Sequence, residues 1–125
     1  MIVGIGTDLA RISRLQQSLD RFGDKFAVRI LAPVEMEEYR LKTHPARMLA
    51  KRFAVKEAAA KALGTGIGVV SWQDIYIEHD ESGAPILRFQ GMADSIARQK
   101  NIGHLHVSIS DEHDYALAFV VLSKA

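Results

Sequence analysis

The stretch from Ala46 to Gly66, ARMLAKRFAVKEAAAKALGTG, constrains this chain more than any other. Strong helix formers fill it, and neither Pro nor Gly interrupts it between Pro45 and Gly64. Pro just before a first turn and Gly just past a last one is the start and stop pattern of a helix. Apolar residues (Met48, Leu49, Phe53, Val55, Ala59, Leu63) fall nearly all the way round it. A helix apolar on several sides is buried on several sides, so this segment is predicted to be the core of a small domain. It nevertheless carries Glu57 and Lys61, four residues apart and so on one face. Spacing alone makes these two an ion pair worth about 0.3 kcal/mol. Their position on a buried helix, just before a Gly-Thr-Gly turn, makes them candidates for chemistry.

The 125-residue sequence as a whole bounds the answer. That length is one domain, residues 1–125, with room for a real core. Apolar content of 48% and charged content of 25% are globular values. There is no cysteine, hence no disulfide framework and no thiolate metal site, which is compatible with a cytoplasmic location. No apolar run approaches a membrane span, and Met1 leads straight into IVGIG, so a soluble, unprocessed protein is expected. The net charge of +1 conceals an asymmetry: residues 1–62 hold twelve Lys/Arg against seven Asp/Glu, and residues 63–125 hold four against eight. A basic N-terminal half suits an anionic partner: nucleic acid, a phosphate ligand or an acidic protein.

Residues 2–8 read as a short buried strand in which Gly4 and Gly6 leave room for close backbone approach. Leu9 to Phe22 then has helical spacing, which makes Asp8 a competent helix N-cap, its preferred role on spacing alone. GIGTDL lacks the third glycine of a dinucleotide fingerprint, and GTGIG at 64–68 lacks the Lys-Ser/Thr of a P-loop. The latter turn is by default a helix C-cap, although its backbone N–H groups could approach a phosphate. Arg14 and Arg21 share a face of the first helix with Lys25 nearby, either an exposed face or a docking surface for an acidic partner. The absence of interleaved aromatics argues against single-stranded nucleic acid. Short helices are predicted over 25–31 and 34–42, strands over 74–79 and 85–89 joined by a hairpin loop, and a helix over 91–100. His104 to Ser110 alternates, with His104, His106, Ser108 and Ser110 on one face, which could line a ligand cleft. A zinc site is not expected there, because no carboxylate or Cys stands beside the histidines. Tyr115 to Leu122 is continuously apolar and predicted to be a central strand. Helices and strands do not alternate regularly, so the predicted class is α+β, a largely antiparallel sheet packed on the long helix.

Three segments together resemble the holo-[acyl-carrier-protein] synthases, the small bacterial 4′-phosphopantetheinyl transferases. They are Gly4-Ile5-Gly6-Thr7-Asp8-Leu9 with Ile12, Arg14 and Leu15; Arg52 through Gly66, RFAVKEAAAKALGTG; and His106-Val107-Ser108-Ile109-Ser110 with Tyr115-Ala116. Arg29-Ile30-Leu31 and Pro33-x-Glu35 add a weaker fourth match. The resemblance implies that fold and a reaction: a divalent ion, usually Mg²⁺, helps move the 4′-phosphopantetheine arm of coenzyme A to a serine of apo acyl carrier protein, for fatty acid biosynthesis. It implies Asp8 and Glu57 as metal ligands and a homotrimer with active sites between subunits.

Those residue types suit the chemistry. Mg²⁺ keeps several waters and is commonly held by one or two carboxylates plus substrate phosphates, so two acids from distant segments suffice. Lys61 could reach the same phosphates, and Glu57, directly or through a metal-bound water, is a candidate base for the serine proton. The catalytic candidates are therefore Asp8, Glu57 and Lys61. Arg52, Lys61, Gly64, Gly66 and His106 are candidates for coenzyme A contacts, with Arg52 suited to the 3′-phosphate through bidentate pairing. Arg14 and Arg21 would meet the acidic carrier protein; no nucleic-acid or membrane partner is implied. The rival reading is a non-catalytic basic module that binds an acidic protein or nucleic acid with no need of Asp8 or Glu57.

Overall fold

The computed structural model describes all of residues 1–125. In chain order it contains β1 (Ile2–Arg11), α1 (Ile12–Phe22), α2 (Asp24–Ile30), α3 (Pro33–Tyr39) and α4 (Pro45–Leu63). A 3₁₀ turn (Trp72–Asp74), β2 (Ile75–His79), β3 (Pro85–Phe89), α5 (Gly91–Gln99), β4 (Ile102–Asp111) and β5 (Tyr115–Lys124) follow. The long strands form an antiparallel sheet in the order β1-β5-β4, and β2-β3 is a separate antiparallel hairpin. The α+β architecture predicted from the sequence is the one observed, with the apolar β5 in the central position.

Helix α4 has Pro45 in its first turn and ends at Gly64, which takes a left-handed φ of 83° as the residue type allows. Thirteen of its 19 residues are buried, including Leu49, Val55, Ala58, Ala59 and Leu63. One face of the sheet packs on it through Ala116, Ala118, Val120 and Leu122 of β5. The approach of β1 is closest. A Cβ at Gly4 would collide with the Ala62 carbonyl oxygen, and one at Gly6 with that of Ala58. The two glycines and the facing alanines thus set the spacing between β1 and α4.

Strand β1 runs three residues beyond the predicted boundary. Leu9, Ala10 and Arg11 pair with Leu117, Ala116 and Tyr115. Helix α1 begins only at Ile12, and Arg11 at its N-cap position contributes no side-chain cap. The N-cap role expected of Asp8 is therefore not realised. Ladder bonds to a strand more than a hundred residues away prevail over the local helical spacing, as tertiary context does over propensity. The strand predicted to start at Asp74 starts at Ile75, because residues 72–74 close into the 3₁₀ turn capped by Ser71 Oγ.

Three charged side chains enter the core: Glu35, Arg52 and Lys56, at 2%, 4% and 0% exposure. Lys56 Nζ donates to Glu35 Oε1 at 2.7 Å, to the Trp72 carbonyl at 3.0 Å and to the Ile75 carbonyl. Glu35 also accepts from the backbone of Ala32 at 3.0 Å and Ile77 at 3.1 Å. A buried charge persists only when paired and hydrogen-bonded. Desolvation holds the Lys56 ammonium below its usual pKa, with Glu35 opposing the shift. This network ties α3, α4 and the start of β2 together.

Candidate active site

Side chains alternate along β1, so Gly4, Gly6, Asp8 and Ala10 share the face turned toward α4. Asp8 follows the two glycines on that face, and its side chain is 18% exposed. Helix α4 brings Glu57 alongside, immediately before Ala58, whose carbonyl bounds Gly6. Asp8 and Glu57 line one open cavity of about 240 Å³, together with Arg11, Arg14, Ser18 and Phe53. Lys61, one turn beyond Glu57, donates to the Thr7 carbonyl at 2.9 Å and to Asp8 Oδ1 at 3.2 Å. The Glu57–Lys61 pair that spacing alone favours gives way to a Lys61–Asp8 pair across the β1–α4 junction. The Lys61 side chain is 53% exposed, so its ammonium is free to exchange that carboxylate for a phosphate. Glu57 instead accepts a hydrogen bond from Trp72 Nε1 at 3.2 Å.

Two carboxylates on one cavity, with no third His, Cys, Asp or Glu in ligating distance, fit a hard divalent cation that keeps most of its waters. The set does not fit a structural zinc.

The other expected residues lie around this centre. Arg14 lines the same cavity, whereas Arg21 stands further along α1 with its guanidinium 5.0 Å from the Phe22 ring centroid. Arg52 is not an open phosphate receptor. Its Nη2 binds Glu38 Oε2 at 2.5 Å, and its Nε lies 3.3 Å from Glu35 Oε2 without hydrogen-bond geometry. It backs a separate basic cavity of about 290 Å³ lined also by Lys42, His44, Arg47, Lys51 and His79. The amides of Gly64, Thr65 and Gly66 all turn back to the Lys61 and Ala60 carbonyls at 3.0–3.2 Å. The turn therefore spends its donors on capping α4, and what it offers a ligand is two glycines flanking Thr65, whose hydroxyl turns to the Gly66 carbonyl at 3.1 Å. His106 is on the outward face of the sheet, with its ring stacked 6.4 Å from His104; it lines neither of these two cavities but, with His104 and Arg88, a third of about 390 Å³. Beside it runs an apolar stripe of the same face: Ile5 and Leu9 of β1, and Leu117 and Phe119 of β5, at 41–60% exposure.

Sequence reasoning missed Lys56, Trp72, Arg47 and Lys51 as parts of this apparatus. One signal was available: Lys56 is seven residues from both Leu49 and Leu63, on the most buried stripe of α4. Nothing local points Trp72 at a residue 15 positions earlier.

Fold and site together define a small α+β protein that holds paired acids and a lysine against a cavity with basic ground nearby. The comparisons with known proteins agree. Residues 4–120 match the 4′-phosphopantetheinyl transferase superfamily. A holo-[acyl-carrier-protein] synthase of Vibrio cholerae serotype O1 is 50% identical over 125 residues, 99% of each chain. The crystal structure of the holo-[acyl-carrier-protein] synthase of Neisseria meningitidis superposes with a TM-score of 0.93 at 45% identity, covering 99% of this chain and 100% of that one. That of Bacillus anthracis, in complex with CoA (3′,5′-ADP), superposes at 0.84 with 39% identity over 100% and 99% of the two chains. The chain belongs to the 4′-phosphopantetheinyl transferase superfamily and, within it, to the holo-[acyl-carrier-protein] synthases.

Proposed function

We propose that this chain transfers the 4′-phosphopantetheine arm of coenzyme A to a serine of apo acyl carrier protein, yielding holo carrier protein and adenosine 3′,5′-bisphosphate for fatty acid biosynthesis. The observation that carries the assignment is the convergence of Asp8 and Glu57 on one cavity with the Lys61 ammonium beside them. In the reaction the serine Oγ bonds to the phosphorus that bears the pantetheine arm, and the bond from that phosphorus to the bridging oxygen breaks. Asp8 and Glu57 would hold a divalent cation, Mg²⁺ in our reading. When bound, it supplies positive charge against the pyrophosphate and the departing phosphate. Lys61 leaves Asp8 to meet the same phosphates, and Glu57 accepts the serine proton. Asp8, rooted in a strand, and Glu57, rooted in a buried helix, present their carboxylates without reorganisation.

The basic cavity that Arg52 backs is assigned to the 3′-phosphate, with Arg52 holding its wall through Glu38 and Glu35 instead of binding directly. Arg14, which lines the cavity, and Arg21, exposed further along α1, are assigned to the acidic carrier protein. The exposed apolar stripe on the sheet supports self-association, which we read as the homotrimer. His106 lies on that face, so it would reach the coenzyme A site of a neighbouring subunit, and the edge of Gly64–Gly66 would border the ligand. No helix is long and apolar enough to cross a membrane, and the cysteine-free chain suits the cytoplasm.

The test is intact-mass spectrometry of an apo acyl carrier protein incubated with this protein and coenzyme A, with Mg²⁺ or with EDTA. A Mg²⁺-dependent gain of one phosphopantetheine arm, lost in Asp8→Asn and Glu57→Gln variants that remain folded, is the expected result. No gain over several carriers would overturn the assignment.

A further inference from the structure

Trp72 is the only tryptophan of the chain, and the hydrogen bond it gives Glu57 is unusually well braced. Phe53, one turn before Glu57 on α4, packs against the indole with 6.1 Å between ring centroids. The Trp72 carbonyl accepts from the fully buried Lys56 ammonium at 3.0 Å. The next residue, Gln73, donates through its side-chain amide to the Val28 carbonyl at 2.6 Å, which fastens the turn to α2. Two adjacent residues of α4 therefore grip the same turn. Lys56 fixes its backbone from the core side, and Glu57 receives its indole N–H.

A glutamate on a partly open helix face has three rotatable bonds, and fixing them costs rotamer entropy when a ligand arrives. An N–H locked on one carboxylate oxygen removes most of that freedom in advance and leaves the other oxygen for a ligand. We propose that Trp72 is a positioning residue of this site: its indole N–H orients the Glu57 carboxylate toward the divalent cation. The inference rests on the reading of Glu57 as a cation ligand. Hydrogen bonds of this outer kind typically change metal affinity by about 10- to 100-fold. A Phe at position 72 would keep the packing on Phe53 and lose the donor.

The experiment uses the single indole as its own reporter. In ¹H–¹⁵N correlation spectra the wild-type protein gives one indole cross-peak. Mn²⁺ affinity is read separately by electron paramagnetic resonance, and Mg²⁺ is titrated against the spectra. Expected are an indole peak that moves on adding Mg²⁺, an upfield position for that peak without metal in Glu57→Leu, which has no acceptor, and no Mg²⁺ response in that variant. Trp72→Phe should bind Mn²⁺ about tenfold more weakly with unchanged circular dichroism. Incorporating a benzothiophene analogue of tryptophan at position 72, which keeps the shape and lacks the N–H, should reproduce that loss and decides the matter if Trp72→Phe does not fold. Mn²⁺ affinity equal to wild type in the N–H-free proteins, or an indole peak indifferent to Glu57→Leu, overturns the proposal while Glu57 remains a ligand. Wild-type protein that binds no Mn²⁺, or Glu57→Gln that binds as tightly as wild type, overturns the cation reading and this inference with it.

Discussion

Gly6→Ala is the sharpest test of how this fold builds its site. The added Cβ would overlap the Ala58 carbonyl oxygen and stand 2.9 Å from the Ala62 amide nitrogen. Both are backbone atoms of a helix buried along most of its length, so no flexible side chain can yield. Relief requires β1 and α4 to part by about 1 Å, which forfeits a quarter to a half of the dispersion energy of each facing pair. Overpacking generally costs about 1–3 kcal/mol, and an unyielding backbone puts this case near 3. That corresponds to a fall in Tm of roughly 10 °C for a domain of this size. Urea unfolding followed by circular dichroism measures the cost directly, with Gly83→Ala as the comparison. At Gly83, φ is 89° but nothing lies within 4 Å of an added Cβ, so that variant suffers only backbone strain. The same parting moves Glu57, beside Ala58, away from Asp8, two residues from Gly6 on one strand face. Transfer activity should therefore fall further than the folded fraction does. Gly4→Ala strains the same junction, so the double variant should lose less than the two singles combined. A Gly6→Ala protein within 0.5 kcal/mol of wild type would refute the close-packing argument.

Lys56→Met removes the hydrogen-bonded one of the two cations beside a carboxylate buried at 2% exposure, leaving Arg52. Glu35 keeps two backbone donors, so the loss should sit at the lower end of the range for broken buried pairs, about 3 kcal/mol; a loss below 1 in urea unfolding would contradict the network. Burial, with the Asp24 carboxylate beside it, raises the Tyr39 hydroxyl from 10.0 to about 12. Between those values the folded state retains a proton that the unfolded state has released, so stability is unaffected below pH 10 and declines as pH rises from 10 toward 12. Tyr39→Phe should flatten that part of the alkaline unfolding profile, and an unchanged profile would count against it. Phe119→Lys places a charge in the exposed sheet stripe and should lower the mass found by sedimentation equilibrium; dissociated protein with full specific activity would exclude a site shared between subunits.

Whatever was encoded by local period and punctuation could be read from the sequence. Pro45 and Gly64 bracket α4, and the apolar run of β5 marks the strand in the middle of its sheet, buried on the α4 side and exposed on the other. Spacing alone makes Asp8 a cap because what excludes that role lies at Leu117, Ala116 and Tyr115, which hold the following residues in the ladder. Arg52 fits a phosphate receptor by residue type, yet Glu35 and Glu38, supplied by α3, reach it first. Asp8 and Glu57 became legible as a pair only through the three-segment resemblance. Nothing in their spacing of 49 positions brings them to one cavity; the β1–α4 contact does.

The open positions of α4 explain why so few residues carry the chemistry. Apart from Pro45, only Arg47, Lys51, Phe53, Glu57 and Lys61 escape burial along the helix. Phe53, Glu57 and Lys61 recur every four residues and form one strip. Ala54, Ala58 and Ala62 form the adjacent strip, and β1 lies so close there that Gly4 and Gly6 are required. The strand thus delivers Asp8 to the border of the Phe53–Glu57–Lys61 strip, while Arg47 and Lys51 open on the basic cavity nearer the start of the helix. Of the charges on α4 outside the core, Glu57, Arg47 and Lys51 line these cavities, and Lys61 pairs with Asp8 at the border of the first. A substitution that buries Glu57 or exposes Lys56 would break this division between core and cavity. The adjacency of a core lysine and a site glutamate is therefore a condition of this fold: one turn, residues 72–75, is anchored by the first and aims its indole at the second.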